Sequence, residues 1–222
     1  MRHIQKTASP DFFEAERATL PIDATWDDLH CKRALKQVLV TEQGQLCGYC
    51  ESQITPDDSH IEHVMAQSEQ EDLRFDYHNL IASCNGVECN PSDKNTYKPE
   101  DVHSCGHKKS NDMDARLFLN PITCVDISNY FDFDPTTGNI CPSHSDASSN
   151  AYQKANYTIN LLNLDNSRLN NARLNAKGAF RKAVSQYHNK PSGKSIKEVA
   201  MRLLNKQPAQ AFDSFLHRCF IS

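Results

Sequence analysis

The chain of 222 residues has few glycines and no long apolar run. Only seven glycines occur, so we do not expect long flexible linkers between folded parts. No segment has the length and apolar density of a membrane helix, and the first residues, MRHIQK, lack the apolar stretch of a signal peptide. These absences predict a cytoplasmic protein with no membrane partner.

The chain also lacks an excess of positive charge, since its formal net charge is -4. A protein that holds nucleic acid alone usually carries a net basic surface. If this protein acts on nucleic acid, either its basic residues are concentrated locally or a partner supplies much of the binding surface.

Cysteine is the residue type that stands out. Nine cysteines are many for a reducing compartment, where disulfides are rare. The odd number argues against a closed disulfide framework. Metal ligation is the better explanation.

The length suits one compact domain, or a small catalytic unit with helical attachments. Residues 1–44 are predicted to be an N-terminal helical segment. Pro10 suits the first turn of a helix, Thr25 and Asp28 have the spacing of a capping box, and Gly44 is a natural stop.

The rest of the chain predicts an α+β fold. Residues 45–121 are rich in cysteine, histidine and turn residues and form the expected metal-binding core. Residues 122–222 predict a β-hairpin, with its turn at 134–138, followed by helices and a capping box at Ser195 and Glu198. We expect this last region to pack with the core as one unit.

Cys47 and Cys50 form a CxxC pair, a spacing that wraps two thiolates around one tetrahedral metal. Cys84 and Cys105 are candidates for the other two zinc ligands, with Cys89 as an alternative. A redox dithiol or plain buried thiols are competing interpretations. The remaining cysteines are interpreted as ordinary core or surface residues: Cys31, Cys124, Cys141 and Cys219.

Between these cysteines lies the segment HIEH, which we interpret as a strand end. Glu62 offers a hard carboxylate ligand for Mg²⁺ or Mn²⁺. His63 is the type of side chain best matched to general-base catalysis near pH 7. Several other histidines are interpreted as surface or core residues: His3, His30, His78, His103, His144, His188 and His217.

A second set of candidate ligands follows Cys105. If a helix starts there, His107 and Asn111 lie four residues apart on one face and can meet a carboxylate from a strand. The cations of Lys108, Lys109 and Arg116 could hold a phosphate backbone.

The segments CGYC, HIEH, DYHNLIASC and CGHKKSN together resemble the HNH endonucleases, which have a ββα-metal core. The chain is particularly similar to the PtuB-like HNH nucleases of Septu and retron antiphage systems. The most specific motifs cover residues 45–121, and segments within 120–173 also look like that family.

The resemblance implies a role for each motif residue. His63 would be the general base that activates water, and Glu62 the first ligand of the catalytic metal. Asn79 would hold the loop that orients His63. His107 would be the third motif residue and a second metal ligand. Asn111 would add to the site or support it.

One departure from the family pattern leaves an alternative open. In many HNH proteins the third motif residue directly follows a cysteine. In this chain Gly106 follows Cys105, and His107 comes one position later. Cys89 and Asn90 offer another cysteine followed by a ligand. We favour Cys105 and His107 as the end of the motif, because CGHKK is the closer match.

The resemblance also implies cofactors and partners. It predicts a structural Zn²⁺, a catalytic Mg²⁺ or Mn²⁺, a DNA or RNA substrate, and a PtuA-like ATPase that delivers substrate or controls activity. The alternative is a non-catalytic zinc-binding module that recognises nucleic acid or protein.

Overall fold

The computed structural model describes residues 1–66, 71–86, 96–98, 102–109, 113–188 and 195–221. The N-terminal region is helical, as predicted, with α1 at Asp11–Arg17 and α2 at Lys32–Glu42. Between them Thr25 and Asp28 bond through the backbone amide and hydroxyl of Thr25, at 2.7 and 2.9 Å, around a short 3₁₀ turn. Gly44, at φ +65°, follows the end of α2.

The centre of the molecule is a two-stranded antiparallel sheet. Strand β1 (Ser59–His63) pairs with β2 (Leu80–Cys84), so that Glu62 lies opposite Ile81. Every residue of β2 is buried. Helix α2 covers the sheet, and the Gln43 amide that follows it bonds both the N–H and the C=O of Ala82, at 2.7 and 2.8 Å. The side chain thus satisfies the backbone of a buried strand.

The segment that closes this core differs from the expected helix start. Residues Cys105–His107 form one 3₁₀ turn, and the amides of Lys108 and Lys109 both donate to the Cys105 carbonyl, at 3.1 and 3.0 Å. Cys105 has φ +60°, which a right-handed helix does not permit. Over the described residues the helix considered for this segment is a single 3₁₀ turn, and Asn111 lies outside them.

The C-terminal region contains the predicted hairpin. Strands β3 (Phe131–Phe133) and β4 (Ile140–Pro142) are antiparallel, and Gly138 donates its amide to the Asp134 carbonyl at 2.8 Å across the predicted turn. Four helices follow: α3 at Asn150–Leu162, α4 at Ser167–His188, α5 at Ile196–Leu204 and α6 at Asp213–Phe220. The predicted capping box is confirmed at the start of α5. Among the described helices, none is long and apolar enough to cross a bilayer.

Glu51 connects the turn that carries Cys47 and Cys50 to the start of the last helix, α6. The Glu51 carbonyl accepts from the Phe212 amide at 2.7 Å, and its carboxylate accepts from the Ser214 amide and hydroxyl at 2.8 and 2.6 Å. Phe215 of α6 packs edge-on against Phe133 of β3, with ring centroids 5.7 Å apart. The division of the chain at residues 44 and 121 stays a prediction.

Candidate active site

The CxxC turn, the end of β2 and the 3₁₀ turn bring four buried sulfurs together. The Sγ atoms of Cys47, Cys50, Cys84 and Cys105 all lie within 4.8 Å of one another, and those of Cys50 and Cys84 are 3.8 Å apart. A Zn–S bond of roughly 2.3 Å places tetrahedral sulfurs about 3.8 Å apart. The backbone amide of Cys84 also donates to Cys47 Sγ at 3.3 Å. The cluster therefore fits a structural zinc ion.

The surroundings of these thiols favour a metal over a redox pair. Burial raises the pKa of the Cys47 and Cys105 thiols, while hydrogen bonds, first from Cys105, lower the pKa of Cys50. Burial thus favours neutral thiols at Cys47 and Cys105, whereas a bound zinc ion would compensate the charge of four thiolates in this site. Cys89, the alternative ligand, lies outside the described residues.

Above this cluster, β1 presents His60 and Glu62 on one face, two positions apart. His60 Nε2 lies 3.6 Å from Glu62 Oε2, and Tyr49 donates its hydroxyl to Glu62 Oε1 at 3.3 Å. Lys109 Nζ is 2.6 Å from the same Oε1. Burial raises the pKa of the Glu62 carboxyl, but the His60 hydrogen bond and the Lys109 charge outweigh it and leave the pKa below its ordinary value. Glu62 is thus a carboxylate at neutral pH.

Gly106 explains the apparent departure in the motif. A Cβ added at this residue would lie 2.5 Å from His60 Nε2 and 2.6 Å from Glu62 Oε2. The backbone between Cys105 and His107 therefore passes directly over the carboxylate, where a side chain would collide. The same passage carries His107 next to His60, with ring centroids 4.6 Å apart in an edge-on contact.

His63 ends β1 in different surroundings. Its ring packs edge-on against Trp26, with centroids 4.5 Å apart, and its Nε2 is 2.9 Å from the Arg74 carbonyl. A carbonyl only accepts, so Nε2 carries the proton and the lone pair of the neutral ring is on Nδ1. Burial lowers the pKa of His63, which is 9% exposed. The ring is held as an uncharged base with a fixed tautomer.

Asn79 fixes the loop that supplies the Arg74 carbonyl. Its Oδ1 accepts from the Met65 amide at 2.8 Å, and its Nδ2 donates to the carbonyls of Met65 and Leu73 at 3.0 and 3.2 Å. Leu73 directly precedes Arg74. The buried side-chain amide of Asn79 therefore connects Met65, which follows β1, to the loop whose Arg74 carbonyl orients His63.

The three predicted phosphate-binding cations have different environments. Lys109 is 5% exposed, and besides Glu62 it donates to the carbonyls of His63 and Val64. Its ammonium is thus engaged at Glu62, and its contact with a phosphate stays a prediction. Arg116 is exposed but pairs with Asp114 through two nitrogens, at 3.1 and 2.9 Å. Lys108 is exposed, and Asn111 and Asn90 lie outside the described residues.

Sequence reasoning missed two residues of this site. His60 contacts both Glu62 and His107, and the signal for it was the spacing of two along a strand, which puts His60 beside Glu62. Trp26 lies against His63, but no sequence signal connects it to a strand 33 residues later. Such a contact follows only from tertiary packing.

One known protein resembles this chain across most of its length, and a second resembles half of it. No protein-family model matches it. A protein described as the proposed HNH endonuclease of retron Ec83, from Escherichia coli, is 28% identical over 235 aligned positions, covering 92% of this chain and 87% of that protein. A protein described as the proposed HNH endonuclease of retron Vc95, from Vibrio cholerae serotype O1 biovar El Tor, is 31% identical over 114 aligned positions. The alignment covers 50% of this chain and 48% of that protein.

Proposed function

We propose that this chain is an HNH endonuclease that hydrolyses nucleic-acid phosphodiester bonds with a divalent metal and uses His63 as the general base. The observation that carries the proposal is the environment of His63. Its Nε2 is bonded to the Arg74 carbonyl, and burial against Trp26 keeps the ring neutral. A neutral imidazole whose lone pair is on Nδ1 is suited to accept a proton from water.

We assign a different role at the scissile phosphate to each of three residues, His63, Asn79 and Glu62. His63 takes the proton of the attacking water, a contribution of typically 10²–10⁴-fold in rate. Asn79 is a positioning residue, because it acts on His63 through the loop carrying Arg74. The Glu62 carboxylate lies on the other face of β1, with Lys109 and His60 around it.

Glu62 and His107 would hold the catalytic Mg²⁺ or Mn²⁺, and Asn111 remains a further proposed ligand. Within the described ranges, no group of three or more metal-ligand atoms converges other than the four cysteines. A hard divalent ion at Glu62 would supply Lewis-acid stabilisation of the phosphate and the leaving oxygen. The carboxylate fits this role because its lowered pKa keeps it charged.

The resemblance to retron and PtuB-like nucleases extends the proposal to a cellular role. The chain would be the nuclease effector of a bacterial antiphage system, acting in the cytoplasm with a PtuA-like ATPase. A zinc site built from reduced thiols suits a reducing compartment. Co-purification with the ATPase tests the partnership, and a protein that stays separate from it would contradict this part of the proposal.

The catalytic proposal is tested with purified zinc-loaded protein, alone and with the ATPase. We would incubate it with plasmid DNA, single-stranded DNA and total RNA, each with Mg²⁺ or Mn²⁺, beside His63→Ala. The matched control is His144→Ala, which removes an exposed loop histidine. We expect the parent and His144→Ala to cleave at least one substrate, and His63→Ala to lose at least 10²-fold in rate.

Two outcomes would contradict the proposal in different ways. If His63→Ala cleaves as fast as the parent, the base is another residue. If the zinc-bound parent cleaves none of the substrates under any condition, the alternative of a non-catalytic zinc-binding module takes its place.

A further inference from the structure

A pocket of about 340 Å³ lies beside the candidate active site, between the start of α2 and the outer edge of β1. We call it the α2 pocket. Its walls are Trp26, the three cations Lys32, Arg33 and Lys36, and residues 59–61 of β1. None of the four side chains outside β1 was assigned a role by the motifs of the sequence.

The α2 pocket is strongly basic in a chain whose net charge is -4. Lys36 donates to the Ser59 carbonyl at 3.0 Å, and Lys32 to the Trp26 carbonyl at 3.3 Å, so both ammonium groups are held at the pocket wall. Arg33 is exposed and makes no hydrogen bond or ion pair with any residue that the structure describes. Its five N–H donors are available to a ligand.

Asp27 and Asp28, two exposed acidic residues that interact with Lys32, do little to neutralise these cations. Asp27 lies 3.8 Å from Lys32, but its side chain is 98% exposed. An exposed pair of this kind is weak and screened by salt. The pocket therefore keeps an uncompensated positive charge, which attracts an anion.

Trp26 connects the pocket to the general base. Its ring stacks on Phe75, with centroids 6.0 Å apart and planes inclined by 23°, and also packs edge-on against His63. Ile61 in the pocket wall and His63 are two residues apart on β1, which is roughly 6.6 Å along a strand. A ligand in the α2 pocket thus lies about one nucleotide from the site where His63 acts.

We propose that the α2 pocket binds the nucleic-acid strand next to the scissile phosphate, with Arg33 and Lys36 on a backbone phosphate and Trp26 against a base or sugar. The proposal takes its ligand class from the proposed function. Cations that contact phosphates supply most of the sequence-independent affinity for nucleic acid, and aromatic rings stack on bases whatever their identity. The local cluster explains how a net acidic chain binds a polyanion.

The test measures binding without cleavage, in the His63→Ala protein. Fluorescence anisotropy of labelled single-stranded and duplex oligonucleotides, DNA and RNA, would give Kd over a range of salt concentrations. Arg33→Ala should weaken binding by about five-fold at 0.15 M salt and reduce the salt slope by about one, as expected for one lost phosphate contact. The matched control is Arg181→Ala, which removes an exposed arginine from α4 and should leave both quantities unchanged.

The outcomes separate this inference from the proposed function. If Arg33→Ala binds as tightly as its background protein, or Arg181→Ala weakens binding equally, the pocket assignment is wrong even if His63 proves to be the base. If the His63→Ala protein binds no oligonucleotide, the assignment is also wrong. If binding depends on Arg33 but the parent cleaves nothing, the pocket stands and the nuclease proposal fails.

Discussion

At the scale of single residues, the neighbours of the His63 imidazole determine its tautomer and its charge. The Arg74 carbonyl sets which nitrogen of His63 is protonated, and the Trp26 ring keeps water from stabilising its charged form. Burial favours the uncharged ring and outweighs the hydrogen bond to the Arg74 carbonyl, which by itself raises the pKa of His63. The sequence motif predicts the histidine, and the folded chain adds the surroundings that suit it to the proposed role of base.

This environment predicts the acidic limb of the pH–rate profile. Because burial disfavours the imidazolium, the pKa of His63 lies below the ordinary value of 6.5. The ring therefore stays neutral at mildly acidic pH, and kcat/KM should fall only as the pH drops below 6.5. Cleavage rates measured from pH 4.5 to 8 at saturating Mg²⁺ would show this limb.

Removing the Trp26 ring provides the control for that profile. Trp26→Ala should hydrate His63 and move the acidic limb toward 6.5, whatever it does to the absolute rate. A limb at or above 6.5 in the parent would contradict the assignment of His63 as a buried neutral base.

Other residues show where sequence reasoning ends. The four cysteines were identified correctly as a group, because the types of ligand and the compartment restrict the choice. The binding of phosphate by Lys109 stays a prediction, and a run of basic residues cannot reveal that its ammonium also pairs with the buried Glu62 carboxylate. Such pairings depend on which segments meet in space.

At the scale of elements, strand alternation and turn geometry build the site. The two-residue period puts His60 and Glu62 on one face of β1, and the tight turn after Cys105 crosses over them. The hairpin after residue 130 and the capping box before α5 were predictable, because turn and cap residues act locally. The 3₁₀ turn at Cys105 was not, because packing on the sheet and the thiol cluster sets its backbone.

A pair of glycine substitutions tests this view of the turn. Gly106→Ala places a methyl group 2.5 Å from His60 Nε2 and 2.6 Å from Glu62 Oε2, so these side chains or the turn must shift. We expect cleavage to fall by about 10²-fold and the free energy of unfolding by about 1–3 kcal/mol. Cleavage assays and urea denaturation measure the two effects.

The matched control is Gly178→Ala in α4. A Cβ there meets nothing within 4 Å, and the residue is exposed. The free energy of unfolding should rise by about 1 kcal/mol, since alanine favours the helix, and cleavage should stay unchanged. A Gly106→Ala protein with parental activity would show that the close approach to Glu62 is not needed.

At the scale of the whole molecule, the thiol cluster lies where the chain's regions meet. Its ligands come from the turn at Cys47, the end of β2 and the turn at Cys105. Glu51, one residue after the CxxC pair, holds the start of α6 through Phe212 and Ser214. Disturbing the cluster should therefore reach the C-terminal helices.

Zinc loss should unfold the molecule beyond the core. Cys84→Ser removes one ligand, and structural zinc typically contributes about 10–16 kcal/mol of apparent binding free energy. We expect the variant to lose its zinc and much of its helical circular dichroism, including signal from helices far along the chain. Metal content measured by atomic absorption, together with far-ultraviolet spectra, would test this.

The control for that experiment is Cys141→Ser, which changes an exposed thiol of β4. It should keep one zinc ion per chain and the parental spectrum. If Cys84→Ser also kept the full helical signal without zinc, the cluster would not be a folding centre.

The contact between Trp26 and His63 has a practical consequence, because Trp26 is the sole tryptophan of the chain. All of the indole emission of the protein originates 4.5 Å from the candidate base. Protonation of that imidazole, or a ligand that displaces either ring, would change the intensity or the emission maximum of the intrinsic tryptophan fluorescence. The molecule therefore carries its own optical probe of the catalytic step, with no label attached.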